Sequence, residues 1–398
     1  MARILFLTTK QPSTNPRMRK SADALAKAGH EVHVLYAFNT EWATEADQSI
    51  FRSEVWSHER VGGHPISERI TYQWARAWRK FFEITGNTER AICRGFARYV
   101  ERGIDWKPDL VIGHNPGALG PLIRISKGLN VPALFDAEDY HRGEAARQES
   151  ATTSITKLED SLLPDLTRMT AASPMIAQAY RKLYPALSVT TVNNAFPLDC
   201  LSPKPTASKE NPLSMVWFSQ VIGLDRGLEE FLTCLQLIPT IPVAINLVGL
   251  ASDDVKSRVN KLDLSPNQNI RFHSPMPEKD LFEFISNQEI GLALEPGFSR
   301  NNDWARSNKI YTYPLAGCYT LASKTAAQVQ FMEEFPQAGE LVDLNDPESM
   351  ANALKELHEN RSVLLEKRIQ AWELAKTTLN WELESQTLLS LVDDILGS

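Results

Sequence analysis

The fold is decided by a stretch near the N-terminus, residues 25–36, which reads LAKAGHEVHVLY. Its first residues close a helical pattern that begins near Arg17 and ends at Gly29, a residue type that often follows the last turn of a helix. The residues after Gly29 alternate between polar and apolar, as they do in a strand. A short apolar run, Ile4–Leu7, precedes the helix. Strand, helix, glycine and strand in this order predict a parallel βαβ crossover.

The same alternation continues along the chain and favours doubly wound α/β domains. In the first half, strands are predicted at Asp109–Ile112, Val131–Phe135, Met169–Ala172 and Val189–Val192. In the second half, they are predicted at Met215–Ser219, Val243–Val248, Ile270–His273, Ile290–Leu294 and Tyr319–Ala322. Helical patterns lie between these strands. Ligands of such domains sit at the carboxyl ends of the strands.

A chain of 398 residues suffices for two domains of about 150–200 residues each. Residues 197–213 are rich in proline and small polar residues, which is typical of a linker. We therefore predict an N-terminal Rossmann-like domain over 1–196 and a C-terminal one over 214–375. A final helix within 376–398 is expected to pack back on the first domain. A cleft between the two domains would be a preferred place for a ligand.

The composition is that of a globular protein, with 43% hydrophobic and 23% charged residues. The net charge of −7 argues against a nucleic-acid-binding protein. No apolar run approaches the roughly 18 residues of a spanning helix, and no cleavage-site pattern follows the opening strand. Four widely spaced cysteines have no zinc-binding spacing and predict reduced thiols in the cytoplasm, namely Cys93, Cys200, Cys234 and Cys318.

A segment from Arg69 to Arg102 has a different character. It looks mostly helical and carries eight arginines or lysines against three glutamates. Aromatic residues fall among them at helical spacing: Trp74, Trp78, Phe81 and Phe82. One interpretation is a pair of helices that pack these rings on the N-terminal sheet and leave the arginines in solvent. The other is a surface helix that makes peripheral contact with an anionic membrane or a lipid-linked acceptor.

Five motifs, in order along nearly the whole chain, carry a resemblance to a known family. They lie at residues 25–32, Lys107–Asn115, Val131–Asp139, Phe218–Glu229 and Ser307–Gly317. In these motifs the sequence resembles the GT-B glycosyltransferases, specifically family 4. The resemblance implies a hexosyltransferase that takes its sugar from a nucleotide-diphosphate sugar and passes it to a glycan or lipid-linked acceptor. It also implies retention of the anomeric configuration, no cofactor, no bound metal, and a role in bacterial envelope polysaccharide or glycoconjugate synthesis.

On the donor side, the family supplies an arginine and then a lysine after the first strand of the C-terminal domain. Both stabilise the charge that develops on the leaving diphosphate. Here Arg226 stands at the lysine position and keeps the charge, whereas Gln220 stands at the arginine position and does not. Gly223 and Gly227 would let backbone amides approach the phosphates. The alternative to phosphate binding is that Arg226 is simply a solvent-exposed residue at the start of a helix.

The family also has two glutamates separated by seven residues, of which the second binds the donor ribose. Here Trp304 stands at the position of the first glutamate and Thr312 at that of the second, so the pair of glutamates is absent. Thr312 could still bond a ribose hydroxyl, as a single weaker partner. Glu295, at the end of a predicted strand, either takes over part of the first glutamate's work or is a plain loop carboxylate.

Two polar residues open the helix that contains Thr312. Asn308 and Lys309 are expected to face a donor phosphate, and the alternative for the lysine is exposure to solvent. The resemblance places both among the donor-binding residues.

On the acceptor side, His114 closes a buried strand and is either catalytic or structural. Asp136, Glu138 and Asp139 follow the next strand. Three close carboxylates are expected to raise one another's pKa, which suits acid–base work or the orientation of a hydroxyl.

Nearby arginines suggest two further interpretations of the acceptor-side residues. The acidic group could instead be a solvated loop paired with Arg142 and Arg147. In the first loop, Asn15, Arg17 and Arg19 are plausible contacts to an anionic donor or acceptor, because an arginine at a helix start is otherwise unfavourable for the helix dipole.

Two other functions remain open. A GT-B-fold sugar-nucleotide epimerase or hydrolase would share the phosphate site and lack an acceptor groove. A catalytically degenerate subunit that only binds the nucleotide sugar is suggested by the changes at Gln220, Trp304 and Thr312.

Overall fold

A computed structural model of the protein describes residues 1–52, 54–63, 77–78, 80–82, 84–144, 154–208 and 212–397. The chain divides into two compact units. The first comprises Met1–Asn193 together with Ser385–Ser398, and the second comprises Asn194–Glu384. Each unit is built on one parallel sheet.

The described residues of the first unit contain the strands β1 (Arg3–Thr8), β2 (Glu31–Ala37), β3 (Ser57–Gly62), β4 (Leu110–His114), β5 (Ala133–Ala137), β6 (Arg168–Ala171) and β7 (Ser188–Thr191). All pair in parallel, in the order β3-β2-β1-β4-β5-β6-β7. The helices are α1 (Pro16–Lys27), α2 (Trp42–Phe51), α3 (Thr88–Ile92), α4 (Phe96–Trp106), α5 (Pro116–Leu129), α6 (Ser154–Leu162) and α7 (Pro174–Leu183).

Helix α1 shows why the opening motif folds as it does. The Asn15 side chain accepts a hydrogen bond from the Met18 backbone at 3.1 Å and caps the helix, and Pro16 fits its first turn. Met18, Ala22 and Leu25 are buried on one side of the helix. This apolar face anchors α1 within the first unit.

The described residues of the second unit contain the strands β8 (Leu213–Val221), β9 (Val243–Leu250), β10 (Gln268–His273), β11 (Ile290–Ala293), β12 (Tyr319–Ser323) and β13 (Gly339–Val342). All pair in parallel, in the order β10-β9-β8-β11-β12-β13. Its helices are α8 (Leu228–Cys234), α9 (Asp253–Asn260), α10 (Glu278–Ser286), α11 (Arg300–Trp304), α12 (Lys309–Leu315), α13 (Ala326–Glu334), α14 (Pro347–Glu359) and α15 (Arg361–Thr377). The last helix, α16 (Trp381–Gly397), begins in this unit, and from Ser385 onward it belongs to the first.

Each sheet has a point where the strand order reverses. In the first sheet it lies between β1 and β4, and in the second between β8 and β11. Loops leave the carboxyl ends of such neighbouring strands in opposite directions and open a crevice, where ligands of doubly wound sheets bind. The functional side chains of each unit are therefore expected beside these two strand pairs.

The prediction of two parallel Rossmann-like lobes is confirmed. Helices lie between the predicted strands, as the alternating pattern indicates; α7, α10 and α12 are examples. Strands β3 and β13 were not predicted. Both lie at the edge of a sheet.

The segment predicted as the linker packs within the second unit. The Trp372 indole donates to the Ser202 carbonyl at 2.8 Å, and Arg368 donates to the Thr206 carbonyl at 3.3 Å. The contact boundary between the two units lies at Asn193 and Asn194.

The four cysteines are free thiols. Cys93, Cys234 and Cys318 are buried, and burial raises the pKa of Cys234 and Cys318 to about 12. Among the described helices, none has the length and apolar character needed to cross a membrane.

Candidate functional site

A buried ion pair organises the carboxyl ends of the strands in the first unit. Both Asp136 oxygens accept from the Arg17 guanidinium, from Nε and Nη2, each at 2.7 Å. The third guanidinium nitrogen donates to the Val192 carbonyl at 2.7 Å, and the Thr170 hydroxyl also donates to Asp136. Arg17 is 3% and Asp136 4% exposed, so this bidentate pair is screened from water.

His114 ends β4 beside this pair. Its Nδ1 lies 3.2 Å from Asp136 Oδ2 and 3.4 Å from Glu138 Oε1, between two carboxylates. Its ring stacks on Phe6, with centroids 5.6 Å apart. Nε2 is buried and makes no hydrogen bond to any described residue. The carboxylates therefore fix a proton on Nδ1, and Nε2 remains for another partner.

Glu138 is held from its other side by polar neighbours. Asn115 donates to Oε2 at 2.8 Å, and Lys10 Nζ lies 3.7 Å from the same oxygen. The Thr8 hydroxyl donates in turn to Asn115 Oδ1 at 2.9 Å. Asn115 has a backbone φ of +71°, a strained conformation that often marks functional sites when it occurs outside glycine.

The charges of this network lower the pKa values of its two acids and raise that of the imidazole. Burial opposes the charged form of each group, but the partners outweigh it. Arg17 and His114 lower the pKa of Asp136, and His114 and Lys10 lower that of Glu138. Asp136 and Glu138 raise the pKa of His114. Asp136 does raise the pKa of Glu138, as expected, but the neighbouring cations outweigh this effect, so the pKa values of both Asp136 and Glu138 are lowered overall.

Ligand atoms of His114, Asp136 and Glu138 lie within 4.8 Å of one another, a spacing that a metal ion could use. Arg17 already occupies both oxygens of Asp136, and a cation there would meet the guanidinium charge. The geometry favours a network that holds protons.

Two of the predicted residues lie apart from this network. Arg19 pairs with Glu54 at 4.0 Å. Asp139 lies with His141 and Glu144, whose ligand atoms are within 4.8 Å of its own. Asn15, by contrast, joins the network through Asn115 Oδ1, at 3.4 Å.

The alternative pairing of the acidic group is not what the structure shows. Arg142 pairs with Glu159 at 3.6 Å and with Asp160 at 2.9 Å. Arg147 lies outside the described residues. Asp136 is part of β5 and is buried, so it does not belong to a solvated loop.

In the second unit, Glu295 lies two residues beyond β11, where the strand order reverses. Its Oε1 accepts from Lys309 Nζ at 3.0 Å and from the Ser307 hydroxyl at 3.3 Å. Its Oε2 accepts from Asn302 at 2.9 Å. The largely buried carboxylate thus fixes the lysine ammonium, and Lys309 together with nearby Arg226 lowers the pKa of Glu295 against the effect of burial.

Arg226 is half-buried and donates to the Ser219 hydroxyl at 2.9 Å. Gln220, at the end of β8, is exposed, and Gly223 is half-buried in the turn after that strand. Gly227 has a φ of +75°, and a Cβ there would lie 2.7 Å from Leu344 Cδ1, so the turn that carries Arg226 needs glycine at this position.

The other two predicted donor residues already have hydrogen-bond partners within the second unit. The buried Thr312 hydroxyl donates to the Asn308 carbonyl one turn earlier at 3.0 Å, so it can only accept from a further partner. The exposed Asn308 side chain accepts from Asn194 at 2.9 Å.

Some residues of both clusters were not predicted from the sequence. Thr8, Lys10 and Asn115 belong to the first, and Asn302 and Ser307 to the second. A signal was present for Asn115, since it directly follows His114 at the end of a predicted buried strand.

The two Rossmann-like lobes, each with a polar cluster at its strand-order reversal, have the GT-B fold. Residues 14–195 match the family of the glycosyl transferase 4-like domain, and nearly all of them lie in the first unit. No curated protein sequence matches the chain.

Solved structures agree with the fold over the whole chain. HepE from Anabaena, in complex with UDP and glucose, is 13% identical with a TM-score of 0.71, covering 99% of this chain and 100% of its own. A sucrose-phosphate synthase from Thermosynechococcus elongatus is 14% identical with a TM-score of 0.72, and both chains are covered completely. A glycosyltransferase from Rickettsia africae is 14% identical with a TM-score of 0.70, covering 99% of this chain and 98% of its own.

Proposed function

We propose that this protein transfers a hexosyl group from a nucleotide-diphosphate sugar to a glycan or lipid-linked acceptor. The observation that carries the proposal is the pair of cations, Lys309 and Arg226, beside Glu295 at the strand-order reversal of the second sheet. Two cations against one carboxylate leave an excess of positive charge where the fold binds ligands. Such charge stabilises a departing diphosphate. HepE, bound to UDP and glucose, supports a UDP sugar as the first donor to test.

We further propose that transfer retains the anomeric configuration and uses no metal or other cofactor. Lys309 and Arg226 supply the positive charge that a divalent cation would otherwise bring to the diphosphate. In the first unit, His114 and Glu138 hold and move protons at the acceptor. His114 Nε2 is the atom that faces no described partner, and it is the atom we assign to the acceptor hydroxyl.

The donor proposal is tested by thermal unfolding with a panel of nucleotides and nucleotide sugars. UDP is expected to raise the midpoint, by mass action on the folded state. Arg226→Gln should reduce that increase, whereas Arg258→Gln, which breaks an exposed pair with Glu229, should not. EDTA should leave both binding and sugar transfer unchanged. An unchanged UDP response in Arg226→Gln would remove Arg226 from the donor site.

Turnover separates the proposal from its two alternatives. A transferase consumes the donor quickly only with an acceptor present. Conversion of the donor without an acceptor indicates an epimerase or hydrolase, and binding without turnover indicates a nucleotide-sugar-binding subunit. We favour transfer over both alternatives because His114 Nε2 is buried and has no hydrogen-bond partner among the described residues, which leaves it for an acceptor hydroxyl.

We also propose a cytoplasmic location, bacterial envelope polysaccharide or glycoconjugate synthesis, and peripheral contact with an anionic membrane through residues 69–102. Within this segment, Trp78, Phe81 and Ile84 expose 52%, 51% and 77% of their surface. Trp74, Arg76 and Arg79 lie outside the described residues. Exposed aromatic side chains in a basic segment are typical of an interfacial anchor.

Liposome co-sedimentation tests this contact. Trp78→Ser with Phe81→Ser is expected to lower binding to phosphatidylglycerol vesicles, because it removes apolar surface that would enter the interface. Trp42→Ser, at an exposed tryptophan outside the segment, is the matched control. Equal binding of both variants to these vesicles would argue against membrane contact through this segment.

A further inference from the structure

The first unit contains a cavity of about 390 Å³ at the carboxyl ends of β1 and β2. Thr9 and Phe38 line it where the two strands end, and Phe82, Ile92 and Arg94 line it from the helical segment opposite. Small-molecule sites have volumes of roughly 300–1,000 Å³, so the space suffices for a ligand group. The polar network around His114 does not line this cavity.

The walls are mixed: apolar side chains share them with polar ones such as Asn39 and Thr88 and, among the described residues, with one cation. Phe38, Phe82 and Ile92 supply the apolar part, and Ile155 adds to it. Arg94 supplies the charge. Such a combination suits a ligand that is apolar at one end and anionic at the other.

Arg94 differs from the neighbouring arginines in its contacts. Arg98 and Arg102 pair with Glu59, at 3.7 and 2.8 Å, and Arg90 lies over the Phe82 and Phe96 rings. Among the described residues, no carboxylate lies within ion-pair distance of Arg94. An exposed guanidinium on a cavity wall is ready to accept an anion, and phosphate matches its geometry in a bidentate manner.

The apolar wall continues onto the surface of the unit. Phe82 stacks on Trp78, with ring centroids 5.6 Å apart, and packs edge-on against Phe81 at 5.5 Å. Both partners are about half exposed. An apolar path therefore leads from the cavity to solvent, along which an alkyl chain could lie.

We propose that this cavity binds the phosphate end of a lipid-linked acceptor, with the phosphate on Arg94 and the first part of the alkyl chain along Phe82 and Trp78. The inference rests on the proposed transferase function and names the class of its acceptor: a phosphate-bearing amphiphile. The net charge of −7 would repel such a molecule elsewhere, so a local cation is needed to hold it.

Dodecyl phosphate, used below its critical micelle concentration, is the probe, and isothermal titration calorimetry is the measurement. We expect saturable binding that Arg94→Gln weakens by about tenfold or more, the effect of losing a charge-assisted contact. Arg98→Gln, at an arginine that already has a carboxylate partner, should change it by less than about twofold. Phe82→Ser should weaken dodecyl phosphate and leave the weaker binding of inorganic phosphate unchanged.

Three results would overturn the proposal: no saturable binding of dodecyl phosphate, equal binding of dodecyl maltoside, or equal losses in Arg94→Gln and Arg98→Gln. The titration needs neither donor nor transfer. Sugar transfer to a soluble oligosaccharide by a protein that fails to bind dodecyl phosphate would thus reject the lipid-linked acceptor and keep the transferase. A protein that binds dodecyl phosphate and transfers no sugar would keep the phosphate site and reject the transferase.

Discussion

Lys309→Gln is expected to lower kcat/KM for sugar transfer by about 10²–10³-fold, the usual cost of removing one preorganised group that stabilises transition-state charge. Lys309 is 6% exposed, and its ammonium lies 3.0 Å from Glu295 and 5.4 Å from the centre of the Trp217 ring. A charge fixed in such a site needs no reorganisation when the diphosphate departs. Glutamine keeps the polarity and removes the charge.

The same substitution also leaves Glu295 without its strongest partner, which destabilises the unit whatever the role of the lysine. The test therefore needs measurements that do not depend on the stability of the folded protein. Lys309→Arg keeps the charge and should restore part of the transfer, and the affinity for UDP should fall in Lys309→Gln at a temperature where the variant is fully folded. Lys324→Gln, at an exposed pair with Asp343, is the matched control and should transfer normally.

A lysine that only supports the fold would behave differently. Lys309→Gln would then unfold at a lower temperature and bind UDP with the affinity of the unmodified protein. That result would remove Lys309 from the donor site and leave Glu295 and its neighbours as a structural cluster.

The lobes could be predicted from the sequence because the central strands are buried on both faces. Strands β1, β4 and β8 contain continuous apolar runs, which are typical of parallel strands covered by helices on both sides. Edge strands carry less of this signal. Strand β3 reads SHERVG, and only its last two residues are buried, so no alternation marks it. Its pairing with β2 decides its structure.

The positions of the site residues were predictable, and their partners were not. His114 and Glu295 were expected at strand ends because parallel strands end at one edge of a sheet. Arg17 and Asp136 are 119 residues apart, and no local pattern indicates that they form a bidentate pair. The direction of the acidic pKa shifts was wrong for this reason, since the cations that lower them arrive from other elements. The partner of Thr312 was not predicted either. Its hydroxyl donates to the Asn308 carbonyl of its own helix and is therefore not available to donate to a ribose.

Asp136→Asn is expected to lower the free energy of unfolding of the first unit by about 3–5 kcal/mol, the typical cost of breaking a buried ion pair from one side. The amide cannot accept the two guanidinium hydrogen bonds at 2.7 Å in the same way, and Arg17 remains buried with its charge. The loss of unfolding free energy should exceed the loss caused by breaking an ion pair that is exposed to solvent. Glu59→Gln, which breaks the pair with Arg102 at 2.8 Å, is the control and should cost less than about 1 kcal/mol.

The cost of Asp136→Asn should depend on pH in a defined way. The folded-state pKa of Asp136 lies below its ordinary value of 3.8, so its contribution is present above that pH and is lost in more acidic solution. The folded-state pKa of His114 lies above 6.5, so the stabilisation that it shares with Asp136 is complete below pH 6.5 and disappears as the pH rises through the raised value. The difference between the two proteins should therefore be largest between about pH 4 and 6.5.

Because the chain has two units, a single unfolding midpoint would mix their stabilities. Hydrogen exchange of peptides from β4, β5 and β6 reports the first unit alone, and peptides from β11 and β12 provide an internal control. Near pH 6 the exchange of the first set should rise strongly in Asp136→Asn, and the second set should be unaffected. At more alkaline pH the increase, corrected for intrinsic exchange rates, should shrink without vanishing, because the attraction of Arg17 persists after His114 has lost its proton. An effect that is constant across this range would mean that His114 is already neutral near pH 6, and its Nδ1 would then only orient the ring.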